Sequence, residues 1–181
     1  MIPLTSTKVD KKPTKVRIAL TLIAAIAASG CQASRTQVTN APSGAWISAA
    51  QAELEYKDEA QKLTLAPGWE WPQAMQYKSL APDGKKNNYG VNTGRVDAAW
   101  YWHCTWARNY FDATSASERE ANLQQVLRLR DSAFYRYGLV AEDKVERNRV
   151  LDLATSGDTK ALRDIIEGNC PHRNHLAPLA P

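Results

Sequence analysis

Tryptophan, cysteine, histidine and carboxylate side chains carry whatever chemistry this chain of 181 residues can perform. It has six tryptophans, of which Trp69, Trp71, Trp100, Trp102 and Trp106 lie close together in sequence. Aromatic faces stack on sugar rings, so Trp69 and Trp71, with Tyr89 downstream, form a candidate ligand surface. The competing reading is a small core filled with large rings, since each ring buries about 150–250 Å². His103-Cys104 and Cys170-Pro171-His172-x-x-His175 contain zinc-ligand types. Their spacing differs from the paired Cys-x₂₋₄-Cys and His-x₃₋₅-His units of common zinc sites. Adjacent residues on a helix also point about 100° apart, which hinders joint chelation. A Cys104 nucleophile activated by His103 would need a free thiol. His172 and His175 read as tail residues, and no metal site is expected.

Carboxylates offer little more. Glu53, Glu55, Asp58 and Glu59 include candidate pairs, but on a charged helix such residues form a solvated face. Glycoside hydrolysis needs two carboxylates roughly 5–10 Å apart, and nothing singles out such a pair. The chain contains no Gly-x-Ser-x-Gly, His-Glu-x-x-His, phosphate loop or dinucleotide fingerprint. No catalytic residue and no cofactor is therefore assigned. Asn87-Asn88-Tyr89-Gly90 and Asn92-Thr93-Gly94-Arg95 are turn chemistry first and a binding loop second.

Composition places the chain among globular proteins, with 44% hydrophobic and 23% charged residues. Its length suits one domain. The net charge of +4 suggests a nucleic-acid partner until its distribution is considered. Lys8, Lys11, Lys12, Lys15 and Arg17 face only Asp10 in the first thirty residues, which accounts for the whole excess. The body is net neutral and has no large footprint for DNA, RNA or anionic lipid.

The basic stretch precedes an apolar run at residues 18–29 (IALTLIAAIAAS), then Gly30-Cys31. A charged start, a short apolar core and small residues make a secretory signal over residues 1–30. A transmembrane helix fits less well, because twelve residues span roughly 18 Å against a hydrocarbon core of about 30 Å. Ala28-Ser29-Gly30-Cys31 resembles the lipobox of bacterial lipoproteins, with Ala28 where leucine is usual. The resemblance covers residues 1–31 alone. It implies cleavage before Cys31, diacylation of its thiol and retention on the extracytoplasmic face of a membrane. The other reading is a plain signal that leaves Cys31 an ordinary thiol. Two acyl chains suffice for stable anchoring.

Export puts the domain in an oxidising compartment. If Cys31 carries lipid, Cys104 and Cys170 are left to form one disulfide with no odd thiol. That bridge closes a loop of about 66 residues, worth roughly 4 kcal/mol in the chain-entropy account.

The elements that must hold these residues follow from periodicity. Residues 32–44 read as a tether. A first helix is expected over 45–63, with Ile47, Ala50, Leu54, Gln61 and Leu65 on one face. Residues 64–95 carry Pro67, Gly68, Pro72, Pro82, Gly84, Gly90 and Gly94, which predict one long Trp-rich loop without strong strand alternation. Residues 97–112 (DAAWYWHCTWARNYFD) are apolar on nearly all sides and predict a central buried helix with Asp97 at its cap. A helix over 117–137 follows, announced by Ser115-x-x-Glu118 and Ser117-x-x-Glu120 and closed by Gly138. Its buried stripe is expected to include Leu123, Val126, Leu127, Ala133, Phe134 and Tyr137. A charged helix over 141–156 should turn Val145, Val150, Leu153 and Ala154 inward. A last helix, capped by Asp158, runs to Glu167, and residues 171–181 form a disordered tail.

The expectation is an all-α domain over residues 45–170: a small orthogonal or irregular bundle of about five helices with one disulfide. Its function is that of an exported, membrane-anchored envelope lipoprotein that binds a partner or serves structurally. An envelope protein or a glycan is the expected partner class. The alternative is a small hydrolase or carbohydrate-active enzyme using the aromatics around Trp69 and Trp71.

Overall fold

A computed structural model describes residues 45–172; the signal, Cys31, the tether and residues 173–181, His175 among them, lie outside the described residues. Five α-helices carry the fold. Strand β1 (Trp46–Ile47) leads into α1 (Ala49–Ala60), and β2 (Tyr89–Gly90) into α2 (Thr93–Asp112). After α2 come α3 (Ala116–Leu127), α4 (Ala141–Thr155) and α5 (Lys160–Asn169). The two strands pair antiparallel, Trp46 opposite Gly90 and Ile47 opposite Tyr89, a short ribbon that the sequence pattern did not announce.

Helix α2 is central, as expected. Ala98, Ala99, Trp102, Cys104, Thr105 and Ala107 along it are all buried. One core gathers Cys104, Ala107 and Tyr110 with Leu123, Val126 and Leu129, with Val150, Leu151 and Ala154 of α4, and with Leu162 and Ile166 of α5. Leu151, absent from the expected face of α4, is fully buried, whereas Val145 is 71% exposed. The bridge between Cys104 and Cys170 forms, with Cα atoms 5.4 Å apart. It ties the end of α5 to the middle of α2. Arg108 reinforces the tie by donating to the carbonyls of Ile166 (3.0 Å) and Cys170 (2.9 Å).

Four local expectations are corrected. Helix α1 shows α2 a different face. Ala49, Ala52, Glu55, Tyr56 and Glu59 are buried, while Ala50 is exposed and Leu54 is 58% exposed. Its start carries a capping box, in which Ser48 and Gln51 satisfy each other's backbone amides. Helix α2 starts at Thr93, a turn before Asp97, after Asn92 in a left-handed conformation (φ 72°). The helix expected over 117–137 stops at Leu127. A 3₁₀ turn (Arg128–Asp131) follows, Ser132 is extended, and a wide π-turn covers Phe134–Gly138. Ser132 explains the break: its hydroxyl donates to the Leu129 carbonyl and accepts the Tyr135 amide, competing with helical bonds. Tyr137 consequently points to solvent. The last helix begins at Lys160 after Thr159, with Asp158 accepting the Lys160 amide.

Candidate functional site

The tryptophan loop is the first place to look for a site. Its residues are held to α2 by a row of hydrogen bonds. Trp69 Nε1 donates to Asn109 Oδ1 (2.9 Å), and Asn109 Nδ2 donates to the Pro67 carbonyl (3.2 Å). Trp102 and Trp106 both donate to the Thr64 carbonyl at 3.0 Å, and Tyr101 donates to the Glu70 carbonyl at 2.8 Å. Tyr56 of α1 reaches the Pro72 carbonyl (3.2 Å). A loop rich in proline cannot pair its own carbonyls in a helix or sheet, so indole and phenol donors of the central helix supply the partners.

The rings pack as the bonds dictate. Trp69 is only 7% exposed and meets Tyr101 edge-on, and Trp71 lies between Tyr101 and Tyr56. Tyr89 packs elsewhere, edge-on to Tyr77, with its hydroxyl on the Lys78 carbonyl. Of the three candidate surface residues, Trp69 and Trp71 thus pack on Tyr101, and Tyr89 packs on Tyr77. Trp69 belongs to a core patch with Ala66 and Tyr101; Trp71 and Tyr89 are half-buried.

Two carboxylate arrangements did emerge that periodicity could not reveal. Glu55 Oε1 and Oε2 accept the backbone amides of Asn92 (2.9 Å) and Gly94 (3.3 Å). A side chain of α1 therefore satisfies the orphan donors of α2 and opposes the positive end of its dipole. Contact there is close enough that a Cβ on Gly94 would lie 2.0 Å from the Ala52 carbonyl oxygen. Glu59 and Asp58 meanwhile both pair with Arg95 (3.5 and 2.8 Å). The face read as solvated is thus in part the α1–α2 interface.

Asp97 is the second case. It accepts the Tyr77 hydroxyl at 2.5 Å. Burial raises the Asp97 carboxyl above its ordinary value, against the lowering effect of that bond. Burial and the Asp97 bond push the Tyr77 hydroxyl far up, and burial does the same to Tyr56. Phenols held neutral in this way donate hydrogen bonds and do not act as bases near neutral pH. The arrangement secures the loop at Tyr77 to the first turns of α2.

His103 is fully buried, and neither ring nitrogen has a hydrogen-bond partner. It lies against Trp100, which stacks on Phe134 at 4.6 Å, and the Arg147 guanidinium covers both of those rings. Burial, then the charge of Arg147, drive the imidazole down to about 3. With Cys104 held in the disulfide, the nucleophile reading of His103-Cys104 and a zinc role for Cys104 and Cys170 both fall away. Among the described residues no group of three or more histidine, cysteine or acidic side chains could hold a metal ion, and no helix is long and apolar enough to cross a membrane.

Open clefts occur on α4 instead. One of about 490 Å³ is lined by Val145, Asn148, Arg149, Asp152 and Leu153. Another, of about 250 Å³, lies between Leu139, Asp143, Glu146, Arg147, Val150 and Ile165. Neither includes an aromatic ring of the loop; Asp152 lines the first, and Asp143 and Glu146 line the second. No family model matches the chain, and neither the curated proteins nor the solved structures contain a match to it.

Proposed function

We propose that this chain is an exported bacterial lipoprotein, anchored through Cys31, whose helical domain is a non-catalytic binding or structural module of the cell envelope. The observation that carries the reading is the Cys104–Cys170 bridge. Disulfides persist in oxidising compartments, which agrees with the signal-like leader. The bridge also uses two of the three cysteines and leaves Cys31, at the end of the apolar run, as the single remaining thiol for acylation. The non-catalytic half is supported by the fate of the polar aromatic atoms. Trp69, Trp102, Trp106, Tyr56, Tyr77 and Tyr101 all direct them to partners inside the domain.

Mass spectrometry of the membrane fraction tests the proposal. The expected species begins at Cys31 with a diacylglyceryl adduct, and Cys31→Ala blocks processing or releases the domain. A mature chain that starts elsewhere and stays soluble refutes the anchor.

A further inference from the structure

Trp46 stands apart from the other five tryptophans. It is 72% exposed, whereas Trp69 and Trp102 are buried and Trp71, Trp100 and Trp106 half-buried. It opens the described domain and lies on β1, opposite Gly90. The chain leading into β2 makes one isolated antiparallel bridge: Leu80 bridges Lys86, Asn87 donates its amide to the Ser79 carbonyl, and the Tyr89 hydroxyl donates to the Lys78 carbonyl. The Trp46 strand and the Leu80 bridge are thus linked through residues 86–90, and Leu80 is itself 59% exposed. Three residues separate Lys86 from Gly90, a span of at most about 13 Å.

The charge of residues 78–90 is net positive. Residues 78–90 contain Lys78, Lys85 and Lys86 against the single acid Asp83, which pairs with Lys85 at 3.0 Å. All three lysines are exposed. Neutrality of the whole body conceals this local excess. Exposed tryptophan and leucine beside lysines match the interface of an anionic bilayer, where indoles sit at the headgroup level and lysines meet phosphate.

Position along the chain selects that occupant. Trp46 follows Cys31 by fifteen residues, a reach of at most about 50 Å. An acylated Cys31 would thus keep β1 within that reach of the bilayer surface. We propose that the Trp46–Leu80 ribbon, with Lys78, Lys85 and Lys86, lies on the anionic membrane surface and orients the domain there. The inference rests on the lipid-anchor reading and adds to it a surface and an orientation.

Fluorescence of the full lipidated protein tests it in phosphatidylcholine vesicles with brominated acyl chains, with and without phosphatidylglycerol. The expected result is quenching of a blue-shifted component that Trp46→Phe lacks. That quenching should increase with phosphatidylglycerol, and replacing Lys78, Lys85 and Lys86 together by Gln should remove the increase. Both variants alter exposed side chains, and far-ultraviolet circular dichroism checks that each is folded. Equal quenching of wild type and Trp46→Phe overturns the proposal. Protection of Trp46 from aqueous acrylamide without bromolipid quenching also overturns it, because a protein surface then covers the ring. Quenching that ignores phosphatidylglycerol overturns the anionic assignment. Failure of the anchor is read separately: a Cys31 peptide without a diacylglyceryl mass refutes the anchor, and this inference with it, whatever the fluorescence.

Discussion

Gly94→Ala sets local helix propensity against tertiary packing. Gly94 sits in the first turn of α2, where alanine would favour the helix by about 1 kcal/mol. Its new Cβ would lie 2.0 Å from the Ala52 carbonyl oxygen, 2.5 Å from the Tyr56 nitrogen and 2.9 Å from Glu55 Cβ. Two of those atoms are backbone, so no side-chain rotation relieves the contact. The helices must separate by about 1 Å or more before the first contact becomes tolerable, and overpacking of this kind costs roughly 1–3 kcal/mol. Such a separation also stretches the Glu55 bonds to the amides of Asn92 and Gly94 beyond useful length. Bonds to a charged group are worth about 1.5–3 kcal/mol each. The net expectation is a loss of at least about 3 kcal/mol, a large share of the total for one domain. Urea denaturation followed by circular dichroism reads it as a lower midpoint. Gly168→Ala is the control. That glycine lies within α5 with open space where its Cβ would go, so the same exchange should stabilise by roughly 0.5–1 kcal/mol. A midpoint for Gly94→Ala at or above that of the parent would refute the close contact of α1 and α2.

His103 should make the domain acid-labile well above the carboxylate range. Above its ordinary value of 6.5 the imidazole is neutral both folded and unfolded; below it the unfolded chain takes a proton that the buried ring refuses down to about 3. Stability should thus fall by roughly 1.4 kcal/mol per pH unit as pH drops below 6.5. His103→Phe, which keeps a ring against Trp100, should flatten urea midpoints measured between pH 7 and 5; parallel curves for the two proteins would count against the burial. Breaking the disulfide by reductant, or by Cys104→Ala with Cys170→Ala, should cost up to about 4 kcal/mol and free the end of α5. Hydrogen exchange should then speed first at the Ile166–Cys170 turn, and unchanged protection there would show that Arg108 alone secures it.

Residue order alone determined the all-helical class and the central position of α2, because the apolar stripes of residues 97–112 repeat at helical spacing whatever surrounds them. Cysteine parity led to the Cys104–Cys170 pair in the same way. Only tertiary structure decided which face of α1 is buried. Periodicity favoured Leu54 over Glu55, but the buried face is chosen by what α2 needs: two carboxylate oxygens for its first amides and a turn at Ala52 flat enough for Gly94. The break at Ser132 is similar, since a hydroxyl mid-helix is tolerated or disruptive according to where its bonds can go. The tryptophans show the division most plainly. Their number was visible in the sequence; their role was not, because an indole serves a ligand or a core depending on where its N–H finds an acceptor. For Trp69, Trp102 and Trp106 those acceptors lie on residues about forty positions away, at Asn109 and Thr64, and a distance of that kind in sequence becomes a contact only in the fold.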